Sequence, residues 1–155
     1  MSRPHAIPAV GRVLALDWGT SRIGVAISDE SQLVASPIAT LTRRTGRRLP
    51  VGKFLTLVER ECPVGLIVGL PLDDDGLEGD SGLAARAMGR TLAARAGLPL
   101  DWIDESFSTV EVLQHRRDAG AVLAPAPRAG KRSAAGSIDA AAAAEILQRW
   151  LDSRR

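Results

Sequence analysis

Only Gly19, Thr20 and Ser21 separate the apolar run "RVLALDW" from the apolar run "RIGVAIS". A parallel crossover needs about a dozen residues or more, so strands joined this closely must pair antiparallel. A third run, "LVASPIATL" from Leu33 to Leu41, follows after another short connection. The first forty or so residues therefore predict a three-stranded meander.

The period of the pattern then changes. Pro50 opens a helical spacing that runs to Cys62, with Phe54, Leu57 and Val58 on one side. "VGLIVGLPL", Val64 to Leu72, is short and apolar throughout, which suits a strand buried on both faces. The composition of "DDDGLEGDSG" predicts a loop, followed by a helix from Leu83 that Gly97 and Pro99 end. "PLDWIDE" to Glu105 reads as the last strand. A helix is expected from Ser108, with Ser108 or Thr109 as its cap, to Gly120. Residues 121–136 read as a mobile loop rich in Ala, Pro and Gly, before a closing helix from Ser137 to Ser153. Strands that alternate with helices after a meander predict an α/β chain with one mixed sheet covered by helices. Residues 1–11 are expected to form a flexible leader and residues 12–155 a single domain.

Composition removes several classes of function. Apolar and charged shares of 45% and 25% are ordinary for a globular domain. No apolar run approaches the roughly 18 residues of a membrane span, and the start lacks the apolar core of a signal peptide, so the expectation is a cytoplasmic protein with no membrane partner. Cys62 is the sole cysteine, which excludes an internal disulfide. It is expected to be a buried, inert thiol, and with only His5 and His115 beside it a Cys/His zinc site is not expected. The net charge of +2 is small, but Arg43, Arg44, Arg47, Arg48 and Lys53 cluster in one segment and Arg128, Lys131 and Arg132 in another. Each cluster alone suits a solvated face; flanking an acidic site, they point to a nucleic-acid partner. With no Tyr, two Phe and three Trp, a base-stacking platform is not expected.

Three acidic positions sit at the ends of predicted elements. Asp17 ends the first strand, Asp104 and Glu105 end the last, and Asp139 opens the closing helix at the head of a stripe formed by Ala143, Ile146 and Trp150. Each has a purely structural alternative. Asp17 can start a turn, Asp104 and Glu105 can cap the approach to the next helix, and Asp139, two residues after a Ser137 cap, can complement the helix dipole. If they converge, they repel one another unless a divalent cation neutralises them, and an all-oxygen set favours Mg²⁺ or Mn²⁺ over zinc. The serine-protease-like "GDSG", Gly79 to Gly82, has no companion histidine motif. Trp150 is expected in the core.

The segments "LALDWGTSRIGVAISD", "GLIVGLPLDDDGLEG", "DWIDESFSTVEV" and "SIDAAAAAEILQRWL", taken together and in this order, resemble the signature blocks of the YqgF/RuvX family of pre-16S rRNA nucleases, once described as Holliday junction resolvase-like proteins. The resemblance runs from Arg12 to Leu151. It implies an RNase H-like fold with a five-stranded mixed sheet and helices on both faces. It also implies a metal-dependent hydrolase that cuts phosphodiester bonds to leave a 5′-phosphate and a 3′-hydroxyl, acting on structured RNA or branched DNA. Carried over, Asp17, Glu105 and Asp139 match the family's catalytic and metal-binding acids. Where the family has basic residues, this chain has Ser106 and Ser137, and Arg128, Lys131 and Arg132 are the candidate substitutes for contacting substrate. The main rivals are a module that binds nucleic acid or the ribosome-assembly or transcription machinery without cleaving, and a phosphotransferase of the actin-like ATPase and sugar-kinase type. The latter needs two such domains, and 155 residues supply one.

Overall fold

β1 (Val13–Trp18) and β2 (Arg22–Ser28) pair antiparallel, as the short turn requires, and β3 (Ala35–Thr42) pairs antiparallel with β2. The computed structural model describes residues 6–19, 21–43, 49–72, 79–105 and 134–155. After the meander the chain forms α1 (Val51–Glu61), β4 (Gly65–Pro71), α2 (Asp80–Ala96), β5 (Leu100–Glu105) and, closing the chain, α3 (Ala134–Ser153). β4 lies parallel to β1 and β5 parallel to β4, giving the sheet order β3-β2-β1-β4-β5. The sheet is mixed and five-stranded, as expected. The helix expected from Ser108 to Gly120 lies outside the described residues.

Alternation along the strands divides the core in two. Leu14 and Leu16 of β1 join Ile23, Val25, Phe54, Leu57, Met88 and Leu92 beneath α1 and α2. Val13 and Ala15 join Ala26, Ile67, Ala143, Leu147 and Trp150 beneath α3. Ala143, Ile146 and Trp150 are buried, so the stripe predicted on the closing helix faces the sheet. Trp150 donates from its Nε1 to Asp101 Oδ2 at 2.8 Å, which satisfies the one polar group its burial would strand. Among the described residues no helix is long and apolar enough to cross a membrane.

Four sequence expectations require correction. α2 starts at Asp80, inside the predicted loop, because its buried face of Gly82, Ala85, Met88, Gly89, Leu92 and Ala93 already begins there. α3 starts at Ala134, so Ser137 is a helical residue and not a cap, and Asp139 falls beyond a first turn that contains no acid. The alanines at 134 and 135 favour helix despite Gly136. Cys62 is exposed, since it is the left-handed C-cap of α1 (φ 48°), its N–H bonded to Val58 O at 2.9 Å. The leader packs against the core from Ile7, which is buried against the α3 side, while Gln32 Nε2 donates to Pro8 O and Gly11 O at 2.7 and 2.9 Å.

A candidate carboxylate site at the strand ends

Asp17 lies on the α3 side of β1, two residues beyond Ala15, and its register partners on both neighbouring strands are glycines. Gly24 of β2 and Gly69 of β4 stand directly opposite it. The missing side chains decide what can approach. A Cβ on Gly24 would collide with the backbone carbonyl of Asp139, so α3 rests directly on β2 there. A Cβ on Gly69 would lie 2.6 Å from Glu105 Cδ and 2.8 Å from its Oε1, so the Glu105 side chain lies across the bare backbone of β4 toward β1. Glycine inside a strand is the sequence signal for such close approach. The sequence reading passed over Gly24 and Gly69.

The half-buried Asp17 and the buried Glu105 meet. Glu105 is 7% exposed and shares a side-chain hydrogen bond with Asp17. The Asp17 carboxyl is raised above the ordinary 3.8, chiefly because burial disfavours its charge. The Glu105 hydrogen bond opposes that rise, and the negative charge of Asp139 adds to it. Asp139 therefore lies within electrostatic range, but it stands at the rim with its side chain 34% exposed, and Arg22 Nη1 is 4.0 Å from its Oδ2. Among the described residues no three His, Cys, Asp or Glu side chains are gathered closely enough to hold a metal ion. Two acids touch, and the third stands at the rim beside Arg22.

Asp104 is exposed, and strand alternation places it on the opposite side of β5 from Glu105. Its backbone carbonyl accepts from Arg149 Nη2 at 2.9 Å, so α3 grips the end of β5 next to Glu105. Trp18 turns its indole to the α1 and α2 side, where the Arg43 guanidinium lies 4.0 Å from the ring centre and donates to Gly19 O at 3.3 Å. That stack braces the turn into which Asp17 leads. Ser81 of "GDSG" is an exposed residue in the first turn of α2. His5, His115, Arg44, Arg47, Arg48, Ser106, Arg128, Lys131 and Arg132 lie outside the described residues, as does the side chain of Ser137.

Residues 11–153 match the RuvX family, described as Holliday junction resolvase. The chain belongs to the RuvX family. A relative from Anaeromyxobacter sp. (strain Fw109-5), named "Putative pre-16S rRNA nuclease", is 40% identical over 144 residues, covering 92% of this chain and 98% of that protein. A relative of the same name from Corynebacterium glutamicum is 38% identical over 159 residues, covering 97% and 83%. RuvC from T. thermophilus, solved with a Holliday junction substrate, superposes with a TM-score of 0.52 at 18% identity, over 92% of this chain and 95% of that one. That likeness shows the fold, and this RuvX chain is RNase H-like.

Proposed function

We propose that the chain is a divalent-metal-dependent nuclease of the cytoplasm that hydrolyses phosphodiester bonds in the 5′-end processing of precursor 16S rRNA, with Asp17, Glu105 and Asp139 as its catalytic and metal-binding acids. The observation that carries this reading is the hydrogen-bonded Asp17–Glu105 pair within range of Asp139. The donor set fits a hard cation such as Mg²⁺ or Mn²⁺, because it offers only carboxylate oxygens. When bound, the cation activates water and neutralises charge on the scissile phosphate.

The chain's own residues supply the rest. Asp17, fixed at a central strand end, is the acid reachable from both sides. Glu105, lying across Gly69 toward β1, would supply a second carboxylate to the cation, and Asp139 a third from the α3 side. Burial beneath α3 limits water around Asp17, which strengthens electrostatic interactions there. Arg128, Lys131 and Arg132 are the proposed contacts to backbone phosphates, which position the substrate without reading its sequence.

The names of the relatives favour RNA as the substrate, with branched DNA the alternative that the fold likeness to RuvC raises. A cleavage panel of structured RNA and branched DNA, with and without Mg²⁺ or Mn²⁺, tests both. Metal-dependent cleavage by the parent and none by Asp17→Asn is the expected result. Binding without cleavage under every condition would establish the non-catalytic module instead.

A further inference from the structure

Arg22 pairs with Asp139, one of the three acids. It opens β2 two residues before Gly24, so alternation puts it on the α3 side, at the end of the sheet where Asp17 lies. The other arginines nearby are engaged elsewhere. Arg149 is bonded to the Asp104 carbonyl, and Arg43 lies over Trp18 on the opposite side of the sheet. At 4.0 Å from Asp139, Arg22 is beyond hydrogen-bond distance, and its side chain is 45% exposed. Such a pair holds its guanidinium near the acids without a hydrogen bond to Asp139.

We propose that Arg22 is a substrate-contacting residue: its guanidinium receives a backbone phosphate beside the carboxylates and rests on Asp139 when no phosphate is present. This rests on the nuclease reading and adds to it the residue that brings phosphate to the acids. The three acids gather negative charge that the single Arg22 guanidinium offsets only in part, and negative charge repels a phosphate. A divalent cation held by the acids would offset that charge and would compete with Arg22 for Asp139. The released guanidinium presents a planar fork of donors that matches two phosphate oxygens, a better partner than a loose, solvent-exposed carboxylate. Phosphate binding by Arg22 is thereby coupled to occupancy of the acids.

The test compares full-length parent, Arg22→Gln and Arg22→Lys, with melting temperatures to verify folding. Mn²⁺ affinity is measured without nucleic acid by water proton relaxation, and binding of a short RNA duplex in Mn²⁺ is measured across a salt series. Arg22→Gln should bind Mn²⁺ about two- to fivefold more tightly, the scale of an exposed ion pair removed. It should also lose up to about one unit of the salt slope of RNA binding, as for one phosphate contact. Arg22→Lys should keep most of that slope but bind RNA less tightly than the parent, since an ammonium cannot engage two oxygens as a fork. A slope unchanged in Arg22→Gln overturns the proposal, even if Mn²⁺ binds more tightly, because Arg22 is then only a counter-ion of Asp139. If the parent still cleaves nucleic acid in that case, the nuclease reading stands without Arg22. If the parent neither binds nor cleaves any nucleic acid, the nuclease reading fails and the proposal fails with it.

Discussion

Leu16 and Asp17 are neighbours on β1, yet they face two regions that fill space in opposite ways. Leu16 is fully buried beneath α1 and α2, among Ile23, Val25, Phe54 and Met88. Asp17, on the α3 side, faces a gap bordered by Gly24 and Gly69, which Glu105 and the start of α3 occupy. Glycine creates room on both sides. On the α2 side a Cβ on Gly89 would meet the Trp102 ring at 2.9 Å, so the room there is taken by an apolar side chain. The glycine itself is therefore not what marks a site. A carboxylate drawn into the space is what separates the two regions, since it gains no hydrophobic stabilisation and is held against its own desolvation.

The largest expected effect tests the carboxylate side. Asp17→Asn, Glu105→Gln and Asp139→Asn should each lower metal-dependent cleavage by about a thousandfold or more, the scale of removing a member of a catalytic unit. Melting temperatures without metal should stay equal or rise modestly, because each amide removes charge from a crowded site. Asp104→Asn, on the other side of β5, should retain cleavage. If Asp104→Asn were inactive and Glu105→Gln active, the assignment of Glu105 would fall.

The other side should respond in the reverse sense. Phe54 is fully buried, and Phe54→Ala should remove about 3 to 5 kcal/mol of stability in chemical denaturation. Below its lowered melting point, cleavage per folded molecule should change little, because Phe54 packs on the side away from Asp17. A large loss of turnover with stability unchanged would mean that the two sides do not divide the work.

The sequence shows the strands and their order of appearance more readily than the site's fit. Short connections, apolar alternation and helix stops such as Gly97 are local signals, and a resemblance in four blocks adds the sheet and the acids. The start of α3 was hidden because "AAG" carries both helix-forming alanine and a glycine, and composition alone favoured a loop. Cys62 looked buried because apolar cysteines usually are, whereas a left-handed cap turned it outward. The choice between Asp104 and Glu105 could not come from periodicity, since strand register is fixed by pairing with β4. The meeting of Glu105 with Asp17 depends on Gly69, whose importance appears only once β1 and β4 are placed side by side.

Gly69→Ala sharpens the comparison at an intermediate scale. The new methyl group would overlap the Glu105 side chain at 2.6 Å, forcing it away from Asp17 or β4 away from its register. Cleavage should fall about tenfold to a hundredfold, as for a misplacement of about 1 Å. The overpacking should remove about 1 to 3 kcal/mol of stability. Gly69→Ala combined with Glu105→Ala should recover stability, because the smaller side chain leaves room for the methyl, but not activity. Failure to recover would show that the strain lies in the backbone rather than against Glu105.

The smallest effects are in pH dependence, where Asp17 and Asp29 should slope in opposite directions. Asp29 is exposed, and its carboxylate accepts from the Ser31 hydroxyl and from the N–H groups of Val34 and Leu33, which lowers it from 3.8 to about 2. A group lowered in the folded state contributes stability above 3.8 and loses it as pH falls through about 2, since the unfolded chain takes up the proton first. The stability gap between the parent and Asp29→Asn should therefore close as pH falls from about 4 to about 2. Asp17 is raised, chiefly by burial, so its folded form holds a proton that the unfolded chain has released above 3.8. Stability associated with Asp17 is thus fully present below 3.8 and is lost as pH rises through its higher folded value. Relative to the parent, metal-free Asp17→Asn should gain stability as pH rises above 3.8, and Mn²⁺ should erase that gain by stabilising the parent alone. Parallel curves for Asp17→Asn and parent across that range would mean that Asp17 carries no uncompensated charge, and the carboxylate side would then differ from the apolar side in shape only.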